Sequence, residues 1–559
     1  MYRQVLDPVG HSLGLTSIFA VLPLLVLFVL LGVVRMKAWL ASLITLAVAI
    51  VVAVAVYSMP VGQAGDSALE GAMFGFWPIM WIVINALWIY NMSEETGYFA
   101  ILRRAFSSVS DDQRVQVVVI AFCFGALLEA LAGFGTPVAI CGIMLVGLGL
   151  SPVRAAAVAL VADTAPVAFG AIAIPITTLA QVTGLPVHDL GAMVGRQTPF
   201  LALIVPFVLI FMVDGRRGLR QTWPAALVAG VVFAVVQFAV SNYVSIPLTD
   251  ILAALASAAA LVALLQVWSP QAPGAPATAV GARPAIAGGA VSDATFEQRV
   301  RERRARGADD GPPPTRGDLI LAFAPYAIIV IVLGVTSIHG ISVQLDKATS
   351  ASKWPGLNIL NGKGKAPTSE LFKFNWLTAA GTWLFVSGVI TAIVLRVNPR
   401  RALRSYGSTL VQLAPAILTV CSVLALAYVM NFSGQTVTLG TWAAGAGGFF
   451  AFLSPLIGWF GTAVTGSDTS TNSLFGALQV AAAHKASLSP VLMSAANSSG
   501  GVLAKMVSPQ NLAIGAAAVG LAGREGDIFR RVIGWSLLLV LIMAILVLLQ
   551  SGPLSGMVP

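Results

Sequence analysis

The chain has 559 residues, 57% of them hydrophobic and 10% charged, with a mean hydropathy of +0.88 and a formal net charge of +9. A soluble globular chain carries about 25% charged residues, so this composition excludes an ordinary water-facing surface. Continuous apolar runs also exclude a β-barrel, whose strands alternate in polarity.

The first apolar run, residues 13–34, is too long for a signal-peptide core, and no small-residue cleavage site follows it. It reads as a mature membrane span, since about 20 residues of helix cross about 30 Å of hydrocarbon. Further spans are expected at 39–59 and 71–91, then a long interrupted stretch at 115–150 and another at 153–183, then spans at 199–213, 223–243 and 248–268. After a polar segment come 319–338, 376–395, 409–430, two interrupted stretches at 442–484 and 490–521, and a last span at 533–550. The polar segment, 269–317, is Ala, Pro and Gly followed by Arg299, Arg301, Arg303, Arg304 and Arg306. It has almost no bulky apolar residues and reads as a disordered basic cytoplasmic linker.

Excess Lys and Arg in a membrane chain marks cytoplasmic loops, so the positive charge does not call for nucleic acid. Arg35 with Lys37, Arg103, Arg104, Arg114, Arg216, Arg217, Arg220, the 299–306 run, Arg396 with Arg400, Arg401 and Arg404, and Arg524, Arg530, Arg531 are expected inside. Threading the spans through these loops puts both termini outside. The 339–374 loop also falls outside, although it carries Lys347, Lys353, Lys363, Lys365 and Lys373.

The two halves match. Three spans precede each first interrupted stretch, a Leu-Ser-Pro-Val follows it (150–153 and 488–491), and the halves begin on opposite sides. The expected fold is therefore all-α and polytopic: an inverted-repeat secondary transporter with broken helices, re-entrant hairpins and about 12–14 membrane segments. Its parts are a first repeat (1–220), connecting helices (221–268), the linker (269–317) and a second, inverted repeat (318–559).

Four breaks fall in corresponding positions: Gly133–Pro137, Asp163–Pro166 with Gly170, Thr465–Asn472, and Asn497–Gly501 running on to Lys505 and Asn511. Broken helix survives in hydrocarbon only where it is buried or lines a watery cavity. A helix restarting after a break offers free N–H groups and a positive dipole end, which suits a carboxylate. Gly133, Gly135, Thr136, Thr164, Ser467, Asp468, Thr469, Thr471, Asn472, Asn497, Ser498, Lys505, Gln510 and Asn511 are the candidate substrate-binding residues. The bland alternative is that Gly and Pro only kink packed helices while Ser and Thr bond their own backbone. Glu129 and Asp163 are the candidate proton carriers, since a carboxyl in low dielectric readily gives up its charge. Lys505 is expected to pair with a substrate carboxylate or with one of these acids.

No metal site, cofactor or nucleotide site is expected. The four histidines are scattered, and His188 and His484 read as interfacial. Cys123, Cys141 and Cys421 read as small core residues.

Leu128-Glu-Ala-Leu-Ala-Gly-Phe-Gly-Thr-Pro-Val138, Ala162-Asp-Thr-Ala-Pro166 and Gly461-Thr-Ala-Val-Thr-Gly-Ser-Asp-Thr-Ser-Thr-Asn472 resemble signature segments of the L-lactate permease family. Glu94-Glu-Thr-Gly97 and Ser508-Pro-Gln-Asn511 fit it too. The resemblance covers nearly the whole chain, apart from the length of the 269–317 insert. It implies proton-coupled uptake of lactate, and often glycolate, across a bacterial cytoplasmic membrane by a fold that works by elevator motion. The partners implied are a small monocarboxylate, protons and the lipid bilayer, with oligomeric state left open. A sodium-coupled or dicarboxylate carrier is the alternative within transport. A membrane-embedded enzyme would need a nucleophile–base pair or a metal cluster, and the sequence offers neither.

Overall fold

In hydrocarbon a helix satisfies every backbone donor and acceptor within its own segment, so the apolar runs form helices. The computed structural model describes residues 2–133, 135–270, 315–361, 364 and 370–559. Most of the expected basic linker, including Arg299, Arg301, Arg303, Arg304 and Arg306, lies outside the described residues.

In chain order the helices are α1 (Leu13–Phe28), α2 (Ala38–Ala55), α3 (Val61–Phe74), α4 (Trp81–Glu95), α5 (Tyr98–Ser107) and α6 (Gln113–Leu131). There follow α7 (Thr136–Gly147), α8 (Pro152–Ala162), α9 (Gly170–Thr183), α10 (Val187–Val194), α11 (Thr198–Tyr243) and α12 (Thr249–Val267). The second part has α13 (Arg316–Ser337), α14 (His339–Asp346), α15 (Ala380–Val394), α16 (Pro399–Ser433) and α17 (Gln435–Ala443). It closes with α18 (Phe450–Thr465), α19 (Asp468–Lys485), α20 (Pro490–Gly501), α21 (Pro509–Ala518) and α22 (Glu525–Gln550).

Ten helices among the described residues are long and apolar enough to cross a membrane, or up to eleven if the bent α8–α9 pair is one span. The expected 12–14 segments exceed this because neighbouring helices joined across a kink, as in 187–243, count here as one. Residues 199–213 and 223–243 are expected as two spans with Arg216, Arg217 and Arg220 in a loop between them. They form two helical arms of α11, which leaves helical geometry at Gly215 and Thr222 on either side of the arginines. The arms fold back on each other, and Thr198 Oγ1 donates to Gln237 Oε1 at 3.2 Å. At 1.5 Å per residue the arms 198–214 and 223–243 run about 25 and 30 Å, so α11 holds two antiparallel crossings of apolar chain.

The order of elements repeats. Gly97 and Gly434, both in the left-handed conformation (φ 83° and 97°), start α5 and α17. α6 and α18 each end at a glycine-bearing turn, and α7 and α19 follow. The two Leu-Ser-Pro-Val segments then begin α8 and α20, with Ser151 and Ser489 as N-caps and Pro152 and Pro490 in the first helical position, where a missing N–H costs nothing. Packing follows the same exchange: α7 lies on α21, and its counterpart α19 lies on α9.

α6 is wholly buried along its apolar window, whereas α1 and α13 bury only 33% and 28% of theirs. α6 thus lies in the interior, and α1 and α13 turn most of their apolar surface outward. The 339–374 segment, expected as a loop, carries α14 and three short strands, β2 (Ser350–Lys353), β3 (Ile359–Leu360) and β4 (Leu371–Phe374). β2 and β4 pair antiparallel, and β3 pairs parallel with β1 (Tyr2–Arg3) at the start of the chain.

Candidate functional site

The first break follows Leu131. Gly133 (φ 51°) and Gly135 (φ 82°) turn the chain through the left-handed region, and Thr136-Pro137 restart it as α7. The second begins at Asp163, passes through a single 3₁₀ turn at Val167–Phe169, and winds Ala171, Ile172 and Ala173 left-handed (φ 45°, 60° and 59°) before α9 becomes regular. Left-handed backbone costs roughly 1–2 kcal/mol per L-residue, so tight surroundings must hold this turn in place.

The third break is short. α18 ends at Gly466 (φ 75°), and Ser467 caps α19 by accepting from the Ser470 N–H at 3.2 Å. Asp468, Thr469, Thr471 and Asn472 therefore occupy the opening turns of a helix. The fourth break corrects an expectation. Asn497–Gly501 is continuous helix within α20; the chain loosens to 3₁₀ at Val502–Val507 and restarts at α21, capped by Ser508. Gly500 and Gly501 serve packing. A Cβ on Gly500 would strike the Pro455 carbonyl group of α18, and one on Gly501 would strike the Asp468 carboxylate.

The breaks bring their ionisable residues together. Lys505 Nζ donates to Glu129 Oε1 at 2.7 Å and lies 2.9 Å from Asp163 Oδ2, and all three side chains are buried. Two carboxylates from one half thus share one ammonium from the other. Gly170 lies against Glu129, where a Cβ would stand 2.8 Å from Oε1. Glu129 Oε2 and Asp163 Oδ1 have no hydrogen-bond partner among the described residues.

A second cluster surrounds Asp468. Its Oδ2 accepts from Ser498 Oγ at 2.6 Å and from Asn472 Nδ2 at 3.3 Å, and its Oδ1 is buried without a partner among the described residues. Asn497 Nδ2 donates to Asn472 Oδ1 at 2.9 Å, and Asn472 Nδ2 reaches the Pro175 carbonyl of α9 at 3.2 Å. A third meeting point joins the two turns. Asn511 Nδ2 donates to the Gly466 carbonyl at 3.0 Å, and both turns lie against α21, where a Cβ on Gly135 would crowd Ile514 and one on Gly466 would crowd Gln510.

Glu129, Asp163, Lys505, Asp468, Asn472, Asn497, Ser498, Gly135, Gln510 and Asn511 are thus held in these three clusters, and Gly133 lies beside Glu129. Thr164 bonds its own Val161 carbonyl at 2.7 Å, and Thr471 bonds Thr462 and the Ser467 carbonyl inside the α18–α19 hairpin. For these two the bland alternative describes the contacts. Thr136 opens α7, and Thr469 is half-buried. His188 and His484 are exposed.

Sequence reasoning missed Gln479 and Ser454, which extend the Asn497 network, and Asp250 with Gln237. Gln237 Nε2 donates to Asp250 Oδ1 at 3.0 Å and to the Ala165 carbonyl of the second break at 3.5 Å. A fully buried acid in a connecting helix was the signal available for Asp250.

The L-lactate permease family matches this chain over residues 16–552. Glycolate permease GlcA of Escherichia coli is 39% identical, covering 100% of this chain and 99% of the relative. An L-lactate permease of Bacillus subtilis is 40% identical and covers 100% of both chains. Among solved structures, the Alcanivorax borkumensis YdaH transporter aligns with TM-score 0.45 and 14% identity, covering 88% of each chain. The chain belongs to the L-lactate permease family and is a multi-pass membrane transporter, not an enzyme.

Proposed function

We propose that this protein carries L-lactate and related 2-hydroxy monocarboxylates such as glycolate, together with protons, across the bacterial cytoplasmic membrane. The relatives' names supply the substrate class. The observation that carries the coupling is the buried Glu129–Lys505–Asp163 cluster, which joins the two halves. With all three groups ionised it holds one net negative charge, and one proton makes it neutral. A buried uncompensated charge is costly, so this cluster has a reason to bind a single proton and a place for it on the unpartnered oxygens.

The substrate belongs where the Gly135 and Gly466 turns meet Gln510 and Asn511, with Asp468, Asn472 and Ser498 behind. Three restarted helices, α7, α19 and α21, begin there, and their free N–H groups suit a carboxylate while the amides and hydroxyls suit an adjacent 2-hydroxyl. The division into repeats at 1–220 and 318–559 around connecting helices 221–268 is supported by the matched element order. β1–β3 pairing supports one common side for the N-terminus and the 339–374 segment.

The test is uptake of radiolabelled L-lactate into proteoliposomes under an imposed proton or sodium gradient. A proton gradient should drive accumulation, glycolate should compete, and succinate should not. Drive by sodium alone, or equal competition by succinate, overturns the reading in favour of a sodium-coupled or dicarboxylate carrier.

A further inference from the structure

A cavity of about 330 Å³ lies between the far end of α9, the helices α3 and α16, and the β2–β4 hairpin; Phe74, Gln181, Leu185, Leu371, Lys373 and Tyr428 line it. This volume is at the small end of ligand pockets. Its walls are mostly apolar, and Lys373 is the one charged lining residue among the described residues. Tyr428 is 1% exposed, and its hydroxyl has no hydrogen-bond partner among the described residues. Leaving such a group unpaired costs about 1–3 kcal/mol, which a bound acceptor would offset.

The hairpin register explains how lysine reaches this place. Ala351 pairs with Lys373 and Lys353 with Leu371, so strand alternation puts Lys353, Leu371 and Lys373 on one face. Phe372 and Phe374 take the opposite face, where they pack on Phe74 at 5.1 Å and on Trp77 at 4.9 Å between ring centroids. The aromatic face anchors the hairpin, and the lysine face is left exposed beside the cavity.

We propose that this cavity is an outer capture site for the small carboxylate, in which Lys373, with Lys353 beside it, draws the anion in and the Tyr428 hydroxyl donates to it. The inference rests on the functional reading above. A cation at the mouth of a low-dielectric cleft focuses its field and raises the local concentration of anions. It also gives a reason for lysines on the side where charge topology calls for few. The occupant then stands at the far end of α9, whose other end is the second break.

Initial rates of L-lactate uptake in proteoliposomes, at low and high salt, test this with Lys373→Gln, the Lys353→Gln/Lys373→Gln pair, Lys373→Arg and Tyr428→Phe. Removing Lys373 should raise KM about three- to tenfold with Vmax unchanged, since steering acts on encounter. The KM of the native protein should rise with salt, and the pair should raise KM further and abolish that salt dependence. Lys373→Arg should restore the native KM, and Tyr428→Phe should raise KM while keeping its salt dependence. A double variant, or a Tyr428→Phe variant, with native KM overturns the site. Native protein that takes up no lactate sinks the functional reading and this inference with it; native uptake with unaltered variants sinks this inference alone.

Discussion

Lys505 holds two carboxylates at once, so the three residues differ in what their removal does to the buried charge. Glu129→Gln leaves a neutral Lys505–Asp163 pair, and Asp163→Asn leaves a neutral Lys505–Glu129 pair. Either variant removes the reason to bind a proton while leaving the ammonium partnered, which avoids the roughly 3–5 kcal/mol typical of a stranded buried charge. Accumulation driven by a pH gradient should therefore be lost, while exchange at equal lactate concentrations persists. Normal insertion levels of each variant establish that folding is intact. If both variants still accumulate lactate against its gradient with native pH dependence, neither residue is the carrier, and Asp468 becomes the next candidate. The residue types and their neighbourhood to the breaks were legible in the sequence. The pairing of Lys505 was open between a substrate carboxylate and one of these acids. That it takes both acids was not legible, because Glu129 and Lys505 lie 376 positions apart and local spacing carries no information about such a contact.

At the scale of elements, α18 and α20 approach through glycines from both sides. Gly458 faces the Asn497 carbonyl and Gly500 faces the Pro455 carbonyl, each with backbone as the obstacle to a Cβ. Close approach through small residues is how membrane helices gain packing contact without a hydrophobic drive. Gly500→Ala should force the helices apart and cost about 1–3 kcal/mol, as overpacking does. Gly534, exposed on α22 with nothing within 4 Å of where a Cβ would stand, is the control; Gly534→Ala should be neutral or stabilising by about 0.5–1 kcal/mol. Thermal unfolding in detergent, followed by tryptophan fluorescence, compares the two, and equal midpoints would refute the packing role. The same glycines show where sequence reading ran out. Gly133, Gly135 and Gly466 mark true turns because they take positive φ, whereas Gly500 and Gly501 are helical and only imitate a break. Their meaning depends on what the missing Cβ would meet, and that is a tertiary fact. By contrast the Arg216–Arg220 run was legible as a connection between two spans, since the backbone leaves helical geometry at Gly215 and Thr222 on either side of it.

For the whole molecule, the arrangement of ends bears on which side each faces. Tyr2 Oη donates to the Tyr57 carbonyl at 3.1 Å and to the Ser433 carbonyl at 2.8 Å, and β1 pairs with β3, so the N-terminus, the α2 and α16 ends and the 339–374 segment share one side. Arg196 donates to Asn242 Oδ1 at 2.9 Å and to the Met557 carbonyl at 2.8 Å, gathering the start of α11, its far end and the C-terminal tail. Ser151, Arg524, Arg530 and Arg531 line one cavity, which sets the α7–α8 turn beside the arginines at the start of α22. These groupings agree with the sides expected from loop charge, with both termini outside and the arginine clusters inside. An impermeant maleimide applied to intact cells tests this. Cys123 and Cys141 are buried and give little background, and the half-buried Cys421 is first changed to Ser. A cysteine introduced at Ser352, on the exposed β2 strand, should then be labelled from outside. One introduced near position 290 should react only after the membrane is permeabilised. Outside labelling near 290 would place the two halves in the same orientation and remove the inverted repeat, and with it the reason for expecting two opposed sets of broken helices to enclose one site.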